Sequence, residues 1–295
     1  MLAVLGLLAC GVVAARTRAV PPGTAAIIDR LVIVLALPGL VLARVPELAM
    51  DATTLVPVAV AWGQLVVLAG LVAVIARLRH WSPMTTGTML LCVPLGNTSF
   101  LGFPAVEALL GTEHLPYAIV YDQLGTFLAL AIWGTFVAAR WGQGDAPSVR
   151  GVVRRIVTFP AFVALVVAII ARWTGLPGPV EQVAELLGAM LTPLAMLSIG
   201  LRLRVPEVGS LPTLATGLGL RMVVAPAAVI GVASALGAGG IAWEASILEV
   251  AMPPMVTASI IAIDAGLDER LATALTGGGI LVALVTLPII AALVT

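Results

Sequence analysis

The sequence predicts an all-α membrane protein. We expect about ten transmembrane helices in two inverted five-helix repeats, with crossing broken helices at segments 4 and 9. Three observations carry this. Of 295 residues, 61% are hydrophobic and 10% are charged, and mean hydropathy is +1.15. A soluble domain carries about 25% charged residues, so this chain has too few to clothe a surface in water. The apolar runs are about as long as a bilayer-crossing helix requires, without the period-two alternation of a membrane β-barrel. Finally, prolines recur at matching places in the two halves.

The elements follow in order. Segment 1 (1–15) is apolar and short, and Arg16 and Arg18 follow the run, whereas a signal peptide begins with its basic residues. Segment 2 (22–44) carries a mid-helix proline, Pro38, in ALPGLVL. Segment 3 (55–78) is continuous. Segment 4 (86–111) is interrupted by VPLGNTSFLGFP, where proline removes a backbone donor and glycine weakens the helix. Segment 5 (115–139) contains Asp122 and Gln123. The longest polar connection follows, RWGQGDAPSVRGVVRR. Segment 6 (157–174) resumes the apolar pattern, and segment 7 (180–201) has Pro193 in LTPLAML. Segment 8 (213–236) holds Arg221, and segment 9 (243–265) is broken at AMPPMVTAS by Pro253 and Pro254. Segment 10 (270–294) contains TGGGI, whose glycines suit close helix packing. The domains are then a first repeat over 1–139, a cytoplasmic linker over 140–156 and a second, inverted repeat over 157–295.

Arginine placement sets the expected orientation. Loops after odd segments hold Arg16, Arg18, Arg77, Arg79, Arg140, Arg150, Arg154, Arg155, Arg202, Arg204 and Arg270, and loops after even segments hold Arg44 and Arg172. Positive residues stay on the cytoplasmic side, so we expect odd loops inside and both termini outside. Formal net charge is zero, and all basic residues are Arg. This composition suggests a GC-rich bacterial genome, hence a plasma (bacterial inner) membrane location. No basic domain is present to hold nucleic acid. Cys10 and Cys92 lie in separate apolar segments and are expected as small buried hydrophobes. No phosphate loop, zinc motif or nucleophile elbow is visible, nor the rings of charge of a channel. We therefore expect neither an enzyme nor a cofactor, beyond H+ or Na+ as coupling ion.

Why a chain this apolar interrupts its own helices has a physical answer. A break exposes N–H and C=O groups that lipid cannot satisfy, so it must face protein or a wet cavity. Paired breaks at corresponding positions of inverted halves point to a transport site near the midplane. Two half-helix N-termini brought together there could hold an anion with backbone N–H groups. Asn97 and Thr98 would either cap the second half-helix or contact substrate. Asp122, a carboxylate at membrane depth, is a functional candidate by default; it would take up a proton or be fixed by donors from the broken helix. Glu107, Glu249 and Asp264 are weaker candidates. Arg221 would snorkel to the cytoplasmic face or pair with a carboxylate. Tyr117 and Tyr121 are one turn apart and read as packing or interface residues.

The stretch PLGNTSFLGFPAVEALLGTEHLPYAIVYDQ, Pro94 to Gln123, resembles the hallmark region of the auxin efflux carrier family of bacterial and plant transporters, within the bile/arsenite/auxin-type superfamily. LTPLAMLSIGLRL and EVAMPPMVTASIIAIDAGLDERLA are similar to its later segments. The resemblance implies a scaffold of segments 1, 2, 6 and 7, a transport domain of segments 3–5 and 8–10, elevator-type alternating access, homodimers, and small organic anions such as dicarboxylates or auxin-like carboxylates as substrates. It implies substrate contacts at Pro94, Asn97, Thr98, Pro253, Pro254 and Thr257, and a coupling or supporting role for Asp122 and Gln123. Some relatives carry Asn near the second break, and this chain has none. The alternatives are a sodium-coupled symporter of the bile-acid type and a carrier of a non-anionic solute.

Overall fold

The computed structural model describes residues 2–48, 51–143, 148–203 and 209–295. Linker residues 144–147 and Arg204 lie outside these. The described residues are helical apart from loops and one isolated antiparallel bridge. In chain order the helices are α1 (Leu2–Arg16), α2 (Thr24–Glu47), α3 (Ala52–Leu78), α4 (Pro83–Cys92), α5 (98–109), α6 (Thr112–Trp141), α7 (Val149–Val157), α8 (Pro160–Thr174), α9 (Gly178–Arg202), α10 (Leu211–Ala235), α11 (Ile241–Val250), α12 (Val256–Asp264) and α13 (Glu269–Val294).

The expectation of ten transmembrane helices in two inverted five-helix repeats is corrected here. Among the described residues, six helices are long and apolar enough to span a bilayer: α2, α3, α6, α9, α10 and α13. A seventh is reached only if α7 and α8, bent by 56° at their junction, count as one span. The differences fall at four predicted segments. The first is a helix of 15 residues, about 22 Å long at 1.5 Å per residue and short of the ~30 Å hydrocarbon core. The sixth, α8, also has 15 residues. The fourth and ninth are divided at their prolines into pieces of 12 residues or fewer (98–109 being the longest). No clear two-fold repeat of five helices emerges: the first half opens on one short helix and the second on a bent pair.

At three places a helix carries a proline just after a widened turn, whereas Pro288 is carried inside α13 without one. A wide π turn precedes Pro38 (Val32–Ala36), Pro104 (Thr98–Gly102) and Pro226 (Leu220–Val224). Proline clashes with the carbonyl four residues back, and the extra residue of a π turn relieves that clash.

Small residues set the closest helix contacts. A Cβ at Gly11 of α1 would lie 2.9 Å from the Cα of Gly200 in α9, and one at Gly188 of α9 would lie 2.9 Å from the Cα of Leu40 in α2. These glycines let α1 and α2 pack backbone to backbone on α9. Two apolar clusters fill the interior. One joins α2, α8 and α9, with Leu8 of α1, to parts of α5, α6, α11 and α13, and the other joins α3, α4, α10 and α12 to parts of α6 and α13. Cys92 is buried as expected; Cys10 is exposed on α1, contrary to expectation.

Candidate functional site

The two breaks meet. α4 ends at Cys92 because Pro94 and Gly96 cannot continue it, and α11 ends at Val250 just before Pro253 and Pro254. The freed strands lie antiparallel, with Gly96 opposite Pro254. The Asn97 N–H donates to the Pro253 carbonyl at 2.8 Å, and the Met255 N–H donates to the Leu95 carbonyl at 3.0 Å. The facing pair exchanges no bond of its own, so the N–H that Pro254 lacks is not missed. Gly279 of α13 backs this crossing: a Cβ there would lie 2.9 Å from Pro253 Cβ and Pro254 Cδ.

One side chain takes carbonyls from both breaks. Arg221, in the π turn of α10, is fully buried. Its Nε donates to the Met252 carbonyl at 2.8 Å, and its Nη1 to the Pro94 carbonyl at 3.0 Å and Gln64 Oε1 at 2.8 Å. Nη2 reaches the Glu249 carbonyl at 3.5 Å. Gln64 Nε2 in turn donates to the Pro94 carbonyl at 2.9 Å. One guanidinium thus joins both breaks to α3. A Cβ at Gly96 would collide with it, so any larger residue there must displace the guanidinium. Arg221 neither snorkels nor makes its hydrogen bonds to a carboxylate.

The acidic groups differ sharply. Asp122, buried in the π-helical stretch Tyr121–Phe127, accepts from Thr98 Oγ1 at 2.5 Å, Ser99 Oγ at 2.6 Å and Gln123 Nε2 at 2.7 Å. It is fixed by donors from the broken helix. Glu249 is fully buried, and neither carboxyl oxygen has a hydrogen-bond donor. Its carboxyl rests on Gly102, where a Cβ would come within 2.7 Å of Oε1. The Tyr121 hydroxyl lies beside Arg221.

Of the residues singled out in the sequence, Pro94, Asn97, Thr98, Asp122, Gln123, Pro253 and Pro254 gather at this crossing. Thr257 is exposed on the first turn of α12, apart from the buried group; the buried hydroxyl of that helix is Ser259. Asn97 makes no side-chain cap, and its amide Nδ2 is buried without a partner. Glu107 accepts from Thr192 Oγ1 at 2.7 Å, beside a cavity of about 70 Å3 between α2, α5 and α9. Tyr117 reaches Thr53 at 3.3 Å while Tyr121 is buried, so the two tyrosines do different work. Gln64 and the bridging role of Arg221 escaped sequence reasoning. Their signal is a lone amide in α3 and a lone cation in α10, each in an otherwise apolar helix.

The sequence pattern of the family described as membrane transport protein matches residues 1–291. Over 217 residues the chain is 29% identical to an uncharacterized transporter of Methanothermobacter thermautotrophicus, covering 72% of this chain and 70% of the relative. Over 192 residues it is 27% identical to an uncharacterized transporter of Methanocaldococcus jannaschii, covering 63% of this chain and 61% of that relative.

Proposed function

The chain belongs to the membrane transport protein family, and from that premise we propose that it is a secondary carrier of small organic anions, such as dicarboxylates or auxin-like carboxylates. Membership makes it a multi-pass membrane transporter and not a catalytic domain, in keeping with the resemblance to auxin efflux carriers. The substrate carboxylate sits where the breaks cross, held by half-helix N–H groups and the Asn97 amide, with Thr98 and the proline segments Pro94 and Pro253–Pro254 shaping the site. Thr257, exposed on the first turn of α12, contributes to the substrate site only once the helices bearing the breaks have moved. Asp122 and Gln123 brace the first break.

The observation that carries this reading is the Asn97 Nδ2 donor, buried and unpartnered at the crossing. A buried unsatisfied donor costs about 1–3 kcal/mol, and an anionic oxygen is its natural partner. The glycine contacts locking α1 and α2 to α9 support a static scaffold, against which the helices bearing the breaks move in an elevator-like exchange. In this proposal the carrier works as a homodimer in the bacterial inner membrane, with both termini outside. The sodium-symporter alternative is less well supported. Break carbonyls are the usual cation ligands in such sites, and here those of Pro94 and Met252 accept from Arg221.

Uptake of labelled carboxylates into proteoliposomes tests the proposal. Asn97→Ala is expected to weaken apparent affinity for the transported anion about tenfold or more, the loss of one charge-assisted bond, without lowering the amount of folded protein. Unchanged affinity removes Asn97 as a ligand, and no carboxylate uptake by folded protein overturns the anion reading.

A further inference from the structure

Three charged side chains are buried together at the crossing: Arg221, Asp122 and Glu249. Their surroundings are not equivalent. Arg221 donates to three carbonyls and the Gln64 amide oxygen, with the Tyr121 hydroxyl beside it, and makes no hydrogen bond to a carboxylate. Asp122 receives three donors and is satisfied as an anion. Glu249 receives none on either oxygen, and its carboxyl lies against the backbone of Gly102. A buried carboxylate with no donor is among the costliest arrangements in a protein. The same carboxyl as a neutral acid needs no donor, and it brings the buried sum of Arg221, Asp122 and Glu249 to zero.

We infer that Glu249 is a proton-binding site, loaded with one proton while it is buried as here and exchanging it with water when the break opens. This rests on the carrier reading above and names its coupling ion as H+, carried by Glu249 with Asp122 in a fixed ionised role. The balance is simple: one proton enters with the acid form and leaves from Oε, with no other bond made or broken. The groups acting on Glu249 are Asp122 and Tyr121 from α6 and Arg221 from α10. Glu244, five residues earlier on α11, is engaged with His114 at 2.8 Å. α3 before Arg77 and α13 beyond Arg270 offer no titratable side chain.

The test is infrared spectroscopy of the purified full chain in lipid at neutral pH, reading the carbonyl stretch of a protonated carboxylic acid. The wild type should show one such buried band. Carbon-13 labelling of glutamate should shift it, labelling of aspartate should not, and this arm needs no variant to fold. Glu249→Gln, a close match in shape to the neutral acid, should lose the band and keep its unfolding midpoint, whereas Asp122→Asn should keep the band. In proteoliposomes, Glu249→Gln should lose accumulation driven by a pH gradient while retaining exchange of substrate for substrate. A band that shifts with labelled aspartate, or no band at all, overturns the proposal. A glutamate band in a protein that carries no carboxylate leaves the proton site standing and sinks the anion reading instead.

Discussion

Replacing Arg221 by methionine removes the one group that joins both breaks to α3. Three strong bonds disappear, to Met252 O and Gln64 Oε1 at 2.8 Å and to Pro94 O at 3.0 Å. The fourth, at 3.5 Å, is at the limit of geometry and contributes little. Bonds to charged groups contribute about 1.5–3 kcal/mol each, which gives a gross loss of about 4.5–9 kcal/mol. Removing the guanidinium also recovers its own desolvation cost, so the net loss should approach the ~3–5 kcal/mol typical of breaking a buried charge arrangement from one side. Arg221→Lys keeps the charge on one point and cannot span acceptors on three segments, so it should recover less than half of that. Titration with denaturing detergent in mixed micelles, followed by the fluorescence of the six tryptophans, reads both variants. An Arg221→Met curve within about 1 kcal/mol of wild type, the size of one ordinary hydrogen bond, would refute the view that this side chain holds the crossing together.

Further outcomes follow from the same geometry. Gly200→Leu should cost about 1–3 kcal/mol by overpacking, because its Cβ meets Gly11 Cα at 2.9 Å and Val12 N at 3.0 Å. Gly6→Leu, with nothing within 4 Å, should not lower the unfolding midpoint, since leucine is the better helix former. Asp122→Asn should cost about 1–3 kcal/mol, since the amide NH2 replaces one of the two accepting oxygens and faces either the Thr98 and Ser99 hydroxyls or the Gln123 amide; a neutral effect would show the lost bond to be dispensable. At the entrance to α3, the Thr53 hydroxyl and N–H hold the exposed Asp51 carboxyl below its usual range. A lowered folded value means its contribution is present above the ordinary Asp value of about 3.9 and is lost as pH falls through the folded one. Thr53→Val should return the Asp51 titration toward the ordinary value, as followed by its carbonyl chemical shift.

The two breaks were legible in the sequence because Pro94, Gly96, Pro253 and Pro254 stand inside apolar runs, where a membrane helix has no other reason to carry them in pairs. The number of spans was not. Hydropathy sums over a window and does not register that α4 and α11 stop as half-helices, or that the chain turns by 56° between α7 and α8. Asp122 could be placed at depth from sequence, but its donors Thr98 and Ser99 come from over twenty residues away, and only packing reveals them. For Arg221, sequence supplied the burial problem and not its solution, since the partners are main-chain carbonyls whose availability depends on the breaks. Glu249 looked the weaker acid because sequence shows charges and cannot show which of two buried carboxyls lacks donors.

The π turns ahead of Pro38, Pro104 and Pro226 bear on how chains of this kind should be aligned. Each inserts one residue into a helix, and one residue is about 100° of rotation on the helical wheel. Residues before and after Leu220–Val224 therefore follow wheels of different phase, and Arg221 sits in the seam between them. Deleting one residue within 220–224 would keep the helix and its hydropathy while swinging everything beyond it to another face. Between relatives, a single-residue gap at such a place changes which side chains face inward, and it should count for more than several substitutions elsewhere on the same helix.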